Sequence, residues 1–599
     1  MTVTRREGQE GEDAEENCSN VESSELTQLS AEGEKPTALF RRMLQGRKTL
    51  GSIMEEVMHD QDASGAKLTL VDLLCIGIGS TIGSGVFVLT GKALPLAGPS
   101  AVVSWILAGL ICLLSSASYM ELSARLPAKG SCYVFSYHGL GEIAAVLGSV
   151  CLTMEYGISG AGVARSWSAK LSQFLGVRVA VCYNGAEWGN GCNYDDDYYL
   201  DPFAAVITLL CTSIVMMGLN MGKIVINSFT AAKILLVAFL IVGGFSCWRW
   251  SMFASVEAFA PHGAGGTLSA TSLLFFGFVG FDEVCCMASK AANPSKTMPW
   301  ALVGTLLGTA LLSGLAQLAL ASMAPYSAGM KGTSFEESFR QHGLHWAGWA
   351  VSLGELVLLP LVVLLGILPQ PEVMAAMSED GLLPPVFKRR NRKGVYLQGT
   401  ALLGLLLALI AFAVPFAVLW DIISLGVLFS FNLTNASIIN VRYGNGGQLK
   451  EPAVDGLAWL LMASMAVAGY TFQRGLAGPF LRGGEISALA VTVGSAALLV
   501  ALVTMFTIRF AFAAACDEQD KTVFKAFGVP FVPGMAMFFN FFLMADFSWS
   551  SFGFFAAFLV CFLAVYFVHV SSEECIHRQT AGSDGSSSLE GEEAHLGCT

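Results

Sequence analysis

The stretch LVDLLCIGIGSTIGSGVFVLTGKAL, residues 70–94, decides how the rest of the chain is read. It has the apolar length of a membrane span, roughly 20 residues. Its middle is poor helix material: Gly77, Gly79, Gly83 and Gly85 fall within nine positions, interleaved with Ser80, Thr81 and Ser84. Each glycine weakens a helix interior by about 1 kcal/mol relative to alanine, and hydroxyl side chains offer the backbone competing hydrogen bonds. This composition predicts a helix that breaks near residues 79–85 and restarts at Val86. Backbone N–H groups freed inside hydrocarbon are too costly unless they line a cavity or meet a ligand. The restarted half would aim its positive end into the gap, a seat for a carboxylate. On this stretch alone a second reading stays open, a small-residue face for close helix packing.

Composition points to the membrane. The 599 residues are 54% hydrophobic and only 13% charged, which leaves most of the chain without a soluble-domain interpretation. The net charge of −12 comes largely from the two ends, so it does not signal nucleic-acid binding. Most of the fifteen cysteines stand singly in apolar runs, where they behave as small hydrophobes, and no CxxC pair or metal-ligand spacing occurs.

Residues 1–64 carry ten acidic residues before Lys35 and almost no aromatics, the composition of a disordered cytosolic tail, with no cleaved signal peptide visible. Arg41, Arg42, Arg47 and Lys48 then place this end inside. After the first span, apolar runs near 101–120, 139–165, 203–219, 224–246, 268–289, 300–323, 349–375, 396–414, 418–441, 457–472, 485–512, 530–545 and 549–570 bring the expected spans to fourteen. The connections that this count makes cytosolic hold Arg125, Lys129, Lys223, Lys290, Lys296, Arg442, Lys450, Lys521 and Lys525, so both termini are expected inside, with 571–599 a second disordered tail. They also hold the block KRRNRK, from Lys388 to Lys393, read as a topology determinant and a contact for anionic lipid. The longest polar interruption, 166–201, contains Cys182 and Cys192; a disulfide between them and two free thiols are equally open.

The sixth run repeats the anomaly of the first. Residues 271–299 place Gly277 and Gly280 among aromatics, with Asp282 and Glu283 at membrane depth. Spans one and six open two five-helix units, 68–246 and 267–441, and an odd number of helices makes the second copy inverted. Glycine-interrupted segments at matching positions of two halves point to the binding site of inverted-repeat transporters. The expected fold is therefore all-α and polytopic, a 5+5 inverted repeat, an architecture of which the leucine-transporter type is an example, with four additional helices over 456–570.

Several ordered motifs carry a resemblance. GIGSTIGSGVFVLTG, AGPS, YMELSARLPAKGSCYVFSY, LTMEYGISGAGVARSW, FVGFDE with NP at 293–294, AMSEDGLLP at 376–384 and VLWDIISLGVLFSFNLTNASIINVRY at 418–443 resemble the cationic amino acid transporter branch of the amino acid–polyamine–organocation superfamily. The resemblance runs over about residues 68–570. It implies alternating access and an amino acid held by backbone at the two helix breaks. On the matching positions, Ile82, Gly83, Ser84 and Gly85 would bind the α-carboxylate. Phe278, Val279 and Phe281 would present carbonyls to the α-ammonium, with an aromatic closing over the substrate.

An ionisable group at bilayer depth costs roughly 2.5–3.5 kcal/mol on insertion scales and needs a partner or a function. By the resemblance, Glu155 approaches the substrate's side chain, which suits a cationic one; the alternative is a glutamate satisfied by Arg165 or a neighbouring helix. Lys233 stands mid-span with apolar residues on both sides for more than a turn, too deep to snorkel. Desolvation makes its charged form costly, so it is a candidate carrier of an exchangeable proton. In related proton-coupled members a lysine here takes the place of a sodium ion and bridges to helix 1 carbonyls; the other reading is a purely structural tie between helices 1 and 5. Of Asp282 and Glu283, one is expected to face the pathway and the other to cap the restarted half-helix. Glu355 matches no family position. Where relatives usually carry Glu-Glu before the Asn-Pro, this chain has Ser289 and Lys290. Where they carry Pro-Arg, in a segment that resembles Gln370, Pro371 and Glu372, it has an acid. A reversed ion pair, Lys290 with Glu372, is expected to close the cytoplasmic side; two separate solvated charges are the alternative.

These features predict a secondary-active transporter of cationic or broad neutral amino acids, with protons as a further coupled species and no cofactor or metal, in the plasma membrane first and a vacuolar or lysosomal membrane second. Two other classes stay open: an amino acid sensor on the same fold, and an intramembrane enzyme using the acids at bilayer depth. No nucleophile elbow, HExxH or phosphate loop supports the enzyme.

Overall fold

The computed structural model describes residues 46–570 apart from 64–66, 84, 177–180, 184–187, 190–198, 218–222, 324–332, 392–394, 445–451, 483 and 513–522. Ser84 and Cys192 therefore lie outside the described residues, as do residues 571–599, Lys393 and the side chain of Cys182. Among the described residues, ten helical runs are long and apolar enough to cross a membrane, and three shorter apolar helices accompany them. One departure from an all-α chain is a three-stranded antiparallel sheet, Val181–Tyr183 between Trp188–Gly189 and Tyr199–Leu200. It lies in the longest polar interruption, where strand pairing satisfies the backbone of a segment too polar for a span.

The first span begins with a capping box. Thr69 accepts from the Asp72 N–H at 3.3 Å, and the Asp72 carboxylate accepts from the Thr69 N–H at 2.9 Å. The helix Leu70–Thr81 stops at Ile82, whose ψ of 96° is extended. The chain resumes as a π-helical turn, Gly85–Leu89, and an α-helix, Thr90–Ala97. A second broken helix does the same. Gly263–Phe275 tightens into a 3-10 turn at Phe276–Phe278, Val279 is extended with ψ 136°, and Gly280 sits at φ +101°, where a Cβ is strained. The short helices Glu283–Cys286 and Ala288–Lys290 continue beyond the gap.

The two breaks face each other. Gly85–Leu89 packs against Phe276–Phe278, and a Cβ on Gly85 would lie 2.8 Å from the Cα of Gly277. Glycine at 85 permits this approach, while a Cβ on Gly277 would run into the Trp105 ring. Across the gap, Ser80 Oγ donates to the Gly280 carbonyl at 2.9 Å. The helix Lys223–Ser246 runs beside Leu70–Thr81 and binds it through Asn227 to Asp72 at 3.0 Å, Thr230 to the Cys75 carbonyl at 2.8 Å and Lys233 to the Gly79 carbonyl at 2.5 Å.

The later helices join the rest through polar side chains. Phe531–Met544 packs on both Ala101–Arg125 and Phe416–Tyr443. Asn540 Nδ2 donates to Ser115 Oγ at 3.1 Å and to Asn432 Oδ1 at 3.0 Å, all three residues fully buried. At one end of this seam the buried Glu121 carboxylate accepts from Arg125 Nε at 2.8 Å, Arg442 Nε at 2.9 Å and the Ala526 N–H at 2.7 Å.

Residues 46–63, assigned by composition to the disordered tail, are instead ordered against the bundle. A helix, Leu50–Ala63, buries Ile53 and Val57, one turn apart, in the main core and packs on Ala288–Lys290.

Candidate functional site

A cavity of about 40 Å³, room for a few waters, opens where the two helix breaks meet. Ser80, Thr81, Gly83 and Gly85 line it from the first break, and Phe276, Val279, Gly280 and Glu283 from the second. Glu155 and Ser159 close one side, and Val362 and Gly366 of the helix His345–Ile367 close another.

Both ends of the first break are electrostatically useful. The last carbonyls of Leu70–Thr81 have no partner in a continuing helix, and the first N–H groups of the resumed half have none behind them. Lys233 Nζ takes the Gly79 carbonyl, placing a cation at the negative end of the half-helix. The Gly77 carbonyl accepts from Ser80 Oγ at 3.1 Å and Thr81 Oγ1 at 2.9 Å, while Thr81 Oγ1 also lies 2.7 Å from Thr309 Oγ1. The positive end, at Gly85, faces the cavity.

Glu155 lies in a π-helical turn, Thr153–Ile158, that interrupts its helix and turns the side chain inward. It is 1% exposed, and its carboxyl is paired with that of Asp282 on the second broken helix; no other hydrogen-bond partner meets it among the described residues. The alternative partner, Arg165, donates instead to the carbonyls of Ala411 and Phe412, each at 2.7 Å. Beside Glu155 is the Asp282 carboxyl, which accepts from Tyr156 OH at 3.2 Å. The cavity thus has a buried acid pair on one wall, Glu155 with Asp282 behind it, opposite a helix end that favours anions. A zwitterion with a basic side chain has that pattern of charge.

The other expected residues sort by position. Val279 lines the cavity. The rings of Phe278 and Phe281 point into the core, against Trp105 at 5.5 Å and against Tyr119 and Phe431 at 5.6 and 5.2 Å, and Ile82 is fully buried. Phe276 supplies the aromatic wall and lies against Trp420, ring centroids 3.6 Å apart and planes tilted by 34°. Glu283, rather than Asp282, reaches the cavity lining. Lys290 Nζ stands 3.6 Å from Glu372 Oε1, both about one-third exposed. Glu355 pairs with Lys170 at 2.6 Å, a partner too far along the chain for pattern reading to find. Of the basic block, Arg390 lies 3.8 Å from Glu379 and over the Tyr396 ring, while Lys388 is exposed. Sequence reading missed Ser80, Thr81 and Val362; the two hydroxyls carry a signal, since each sits at a break where backbone acceptors are orphaned.

Membrane helices with two opposed interruptions and a cavity between them define a polytopic permease-like protein. Residues 68–481 match the family described as "Amino acid permease", and the chain belongs to that family. It is 33% identical to "Cationic amino acid transporter 3, mitochondrial" of Arabidopsis thaliana over 65% of this chain and 64% of that protein. It is 31% identical to "Cationic amino acid transporter 4" of Mus musculus over 71% and 67%, and 28% identical to "Cationic amino acid transporter 6, chloroplastic" of Arabidopsis thaliana over 92% and 93%. The first of these relatives is thus matched over less than two thirds of its length. All three are named as transporters, which sets the enzyme reading aside.

Proposed function

We propose that this protein is a secondary-active amino acid transporter with a preference for cationic substrates, working by alternating access on a leucine-transporter-type 5+5 inverted repeat with four further helices, fourteen spans in all. The observation that carries the reading is the buried acid pair Glu155 and Asp282, with Glu155 lining a small cavity across from the positive end of a broken helix. The α-carboxylate of the substrate seats on the backbone at Gly83 and Gly85, its α-ammonium meets carbonyls near Val279, and its basic side chain turns to Glu155. Phe276 with Trp420 forms the aromatic lid. Lys233, held on the Gly79 carbonyl, carries the coupled proton: protonated it ties the half-helix to its neighbour, and deprotonated it lets that half move. The basic connections support a topology with both termini in the cytosol, and the plasma membrane is the proposed location.

The test is a competition panel of labelled arginine, lysine, alanine and leucine in liposomes at several imposed pH gradients. Arginine and lysine should compete best. In Glu155→Gln, their apparent affinity should fall about ten- to a hundredfold, the loss of one hydrogen bond to a charged group, with alanine nearly unchanged. An equal loss for all four substrates would reject Glu155 as the side-chain contact.

A further inference from the structure

Residues 46–63 do more than rest on the bundle. Lys48 Nζ reaches Asp380, just past the helix Gln370–Glu379, at 2.8 and 3.0 Å, and Glu56 one helical stretch later at 2.6 Å. Asp380 also accepts from Tyr133 OH at 2.5 Å, and the Lys48 carbonyl lies 2.9 Å from His138 Nδ1. Tyr133 and His138 belong to the short helix Cys132–Gly139. The neighbouring Arg47 bonds the Gly139 carbonyl and Asp455, at the start of Pro452–Phe472. The far side of this segment buries Ile53 and Val57 and packs on Ala288–Lys290, the tail of the second broken helix. Just beyond, Leu68 pairs with the strand-like Ala291, through its N–H to the Lys290 carbonyl at 2.8 Å and its carbonyl to the Ala292 N–H at 3.0 Å.

This segment therefore grips, at one face of the protein, elements that must part if that face opens. On one side are the tail of the second broken helix and the chain leading into the first. On the other are Asp380, the Cys132–Gly139 helix and the start of the later helices. We propose that residues 46–63 are a strap that locks this face closed, and that opening it requires Lys48 to leave Asp380. The proposal rests on the transport reading for its name of the face, cytosolic, but not for its geometry.

The lock is chemically suited to stay shut. Burial works to lower the Lys48 pKa, yet Asp380 and Glu56 together outweigh it and hold the amine above its ordinary 10.5. A group raised on docking contributes fully below its free pKa and loses that contribution only as pH rises through the raised value. With Asp380, Glu56, Tyr133, His138 and Arg47 around it, Lys48 keeps its charge and the strap holds throughout the neutral range.

Hydrogen exchange on the full chain in lipid nanodiscs tests this, comparing wild type with Lys48→Ala and Asp380→Asn. Removing one partner of a charge-assisted bond should raise exchange of Leu50–Ala63 by about tenfold. The proposal requires Ala288–Lys290 and Gln370–Glu379 to become more exchangeable together with the strap, because the face then opens more often. It also requires the two variants to be non-additive in combination. If the strap amides loosen while Ala288–Lys290 and Gln370–Glu379 keep wild-type protection, the strap is a passive anchor and the proposal falls. If Lys48→Ala does not accumulate in the membrane, Asp380→Asn alone decides by the same comparison. Arginine uptake by wild-type liposomes is measured separately; its absence counts against the transport reading and leaves the exchange comparison intact.

Discussion

At Gly83 the cavity leaves little slack. A Cβ there would meet Val362 Cγ1 at 3.1 Å, and a larger side chain would occupy the space beside the half-helix end. Gly83→Val should lower amino acid affinity at least about tenfold, the 1–3 kcal/mol typical of overpacking, while insertion and expression persist; wild-type affinity in a binding assay would remove Gly83 from the site. Lys233 allows a sharper distinction. Its amine fills an acceptor that the helix break orphans, so any substitution loosens the join between helices, costing roughly 1–3 kcal/mol. If it also carries the proton, Lys233→Ala should abolish accumulation driven by a pH gradient yet leave part of the exchange activity. Accumulation that keeps its gradient dependence in the mutant would make the lysine purely structural.

At the level of elements, the helix ends carry the testable contacts. Lys290 ends the second broken helix and Glu372 begins Gln370–Glu379, their charges 3.6 Å apart at about one-third exposure. Such a pair is worth only about 0–1 kcal/mol, enough to tilt a conformational equilibrium several-fold. Lys290→Glu should favour opening on this face through repulsion, and adding Glu372→Arg should restore wild-type transport; a double mutant no better than the worse single mutant would show two independent charges. The first break was legible because four glycines and three hydroxyls crowd nine positions, and the structure stops the helix at Ile82 within that window. The second break was legible from Gly277 and Gly280, but which aromatics face inward was not. A 3-10 turn rotates Phe276 to the cavity and sends Phe278 and Phe281 into the core, and nothing in the spacing announces that rotation. The strap helix escaped notice because its acidic residues read as solvated tail, while among its described side chains only Ile53 and Val57 are buried.

At the scale of the molecule, the later helices are bound into the permease bundle by polar groups that have no water to fall back on. Asn540→Leu removes the donor to Ser115 and Asn432 and leaves a buried acceptor unmet, at a cost of about 1–3 kcal/mol. A thermal-unfolding assay in detergent should therefore show a lowered midpoint in Asn540→Leu, and an unchanged midpoint would make the seam energetically idle.

The Glu121 junction bears on any attempt to shorten the chain. Arg442 Nη2 donates to the Ala526 carbonyl at 2.7 Å while the Ala526 N–H donates to Glu121, so the helix Ala101–Arg125, the helix Phe416–Tyr443 and a downstream loop close one ring of bonds. The family match ends at residue 481, yet a chain cut there would strand Arg442 without that acceptor and Ser115 without Asn540. The later helices are therefore not a detachable module: removing any of them takes buried hydrogen bonds from helices on both sides of the junction, Ser115 and Arg442 among them.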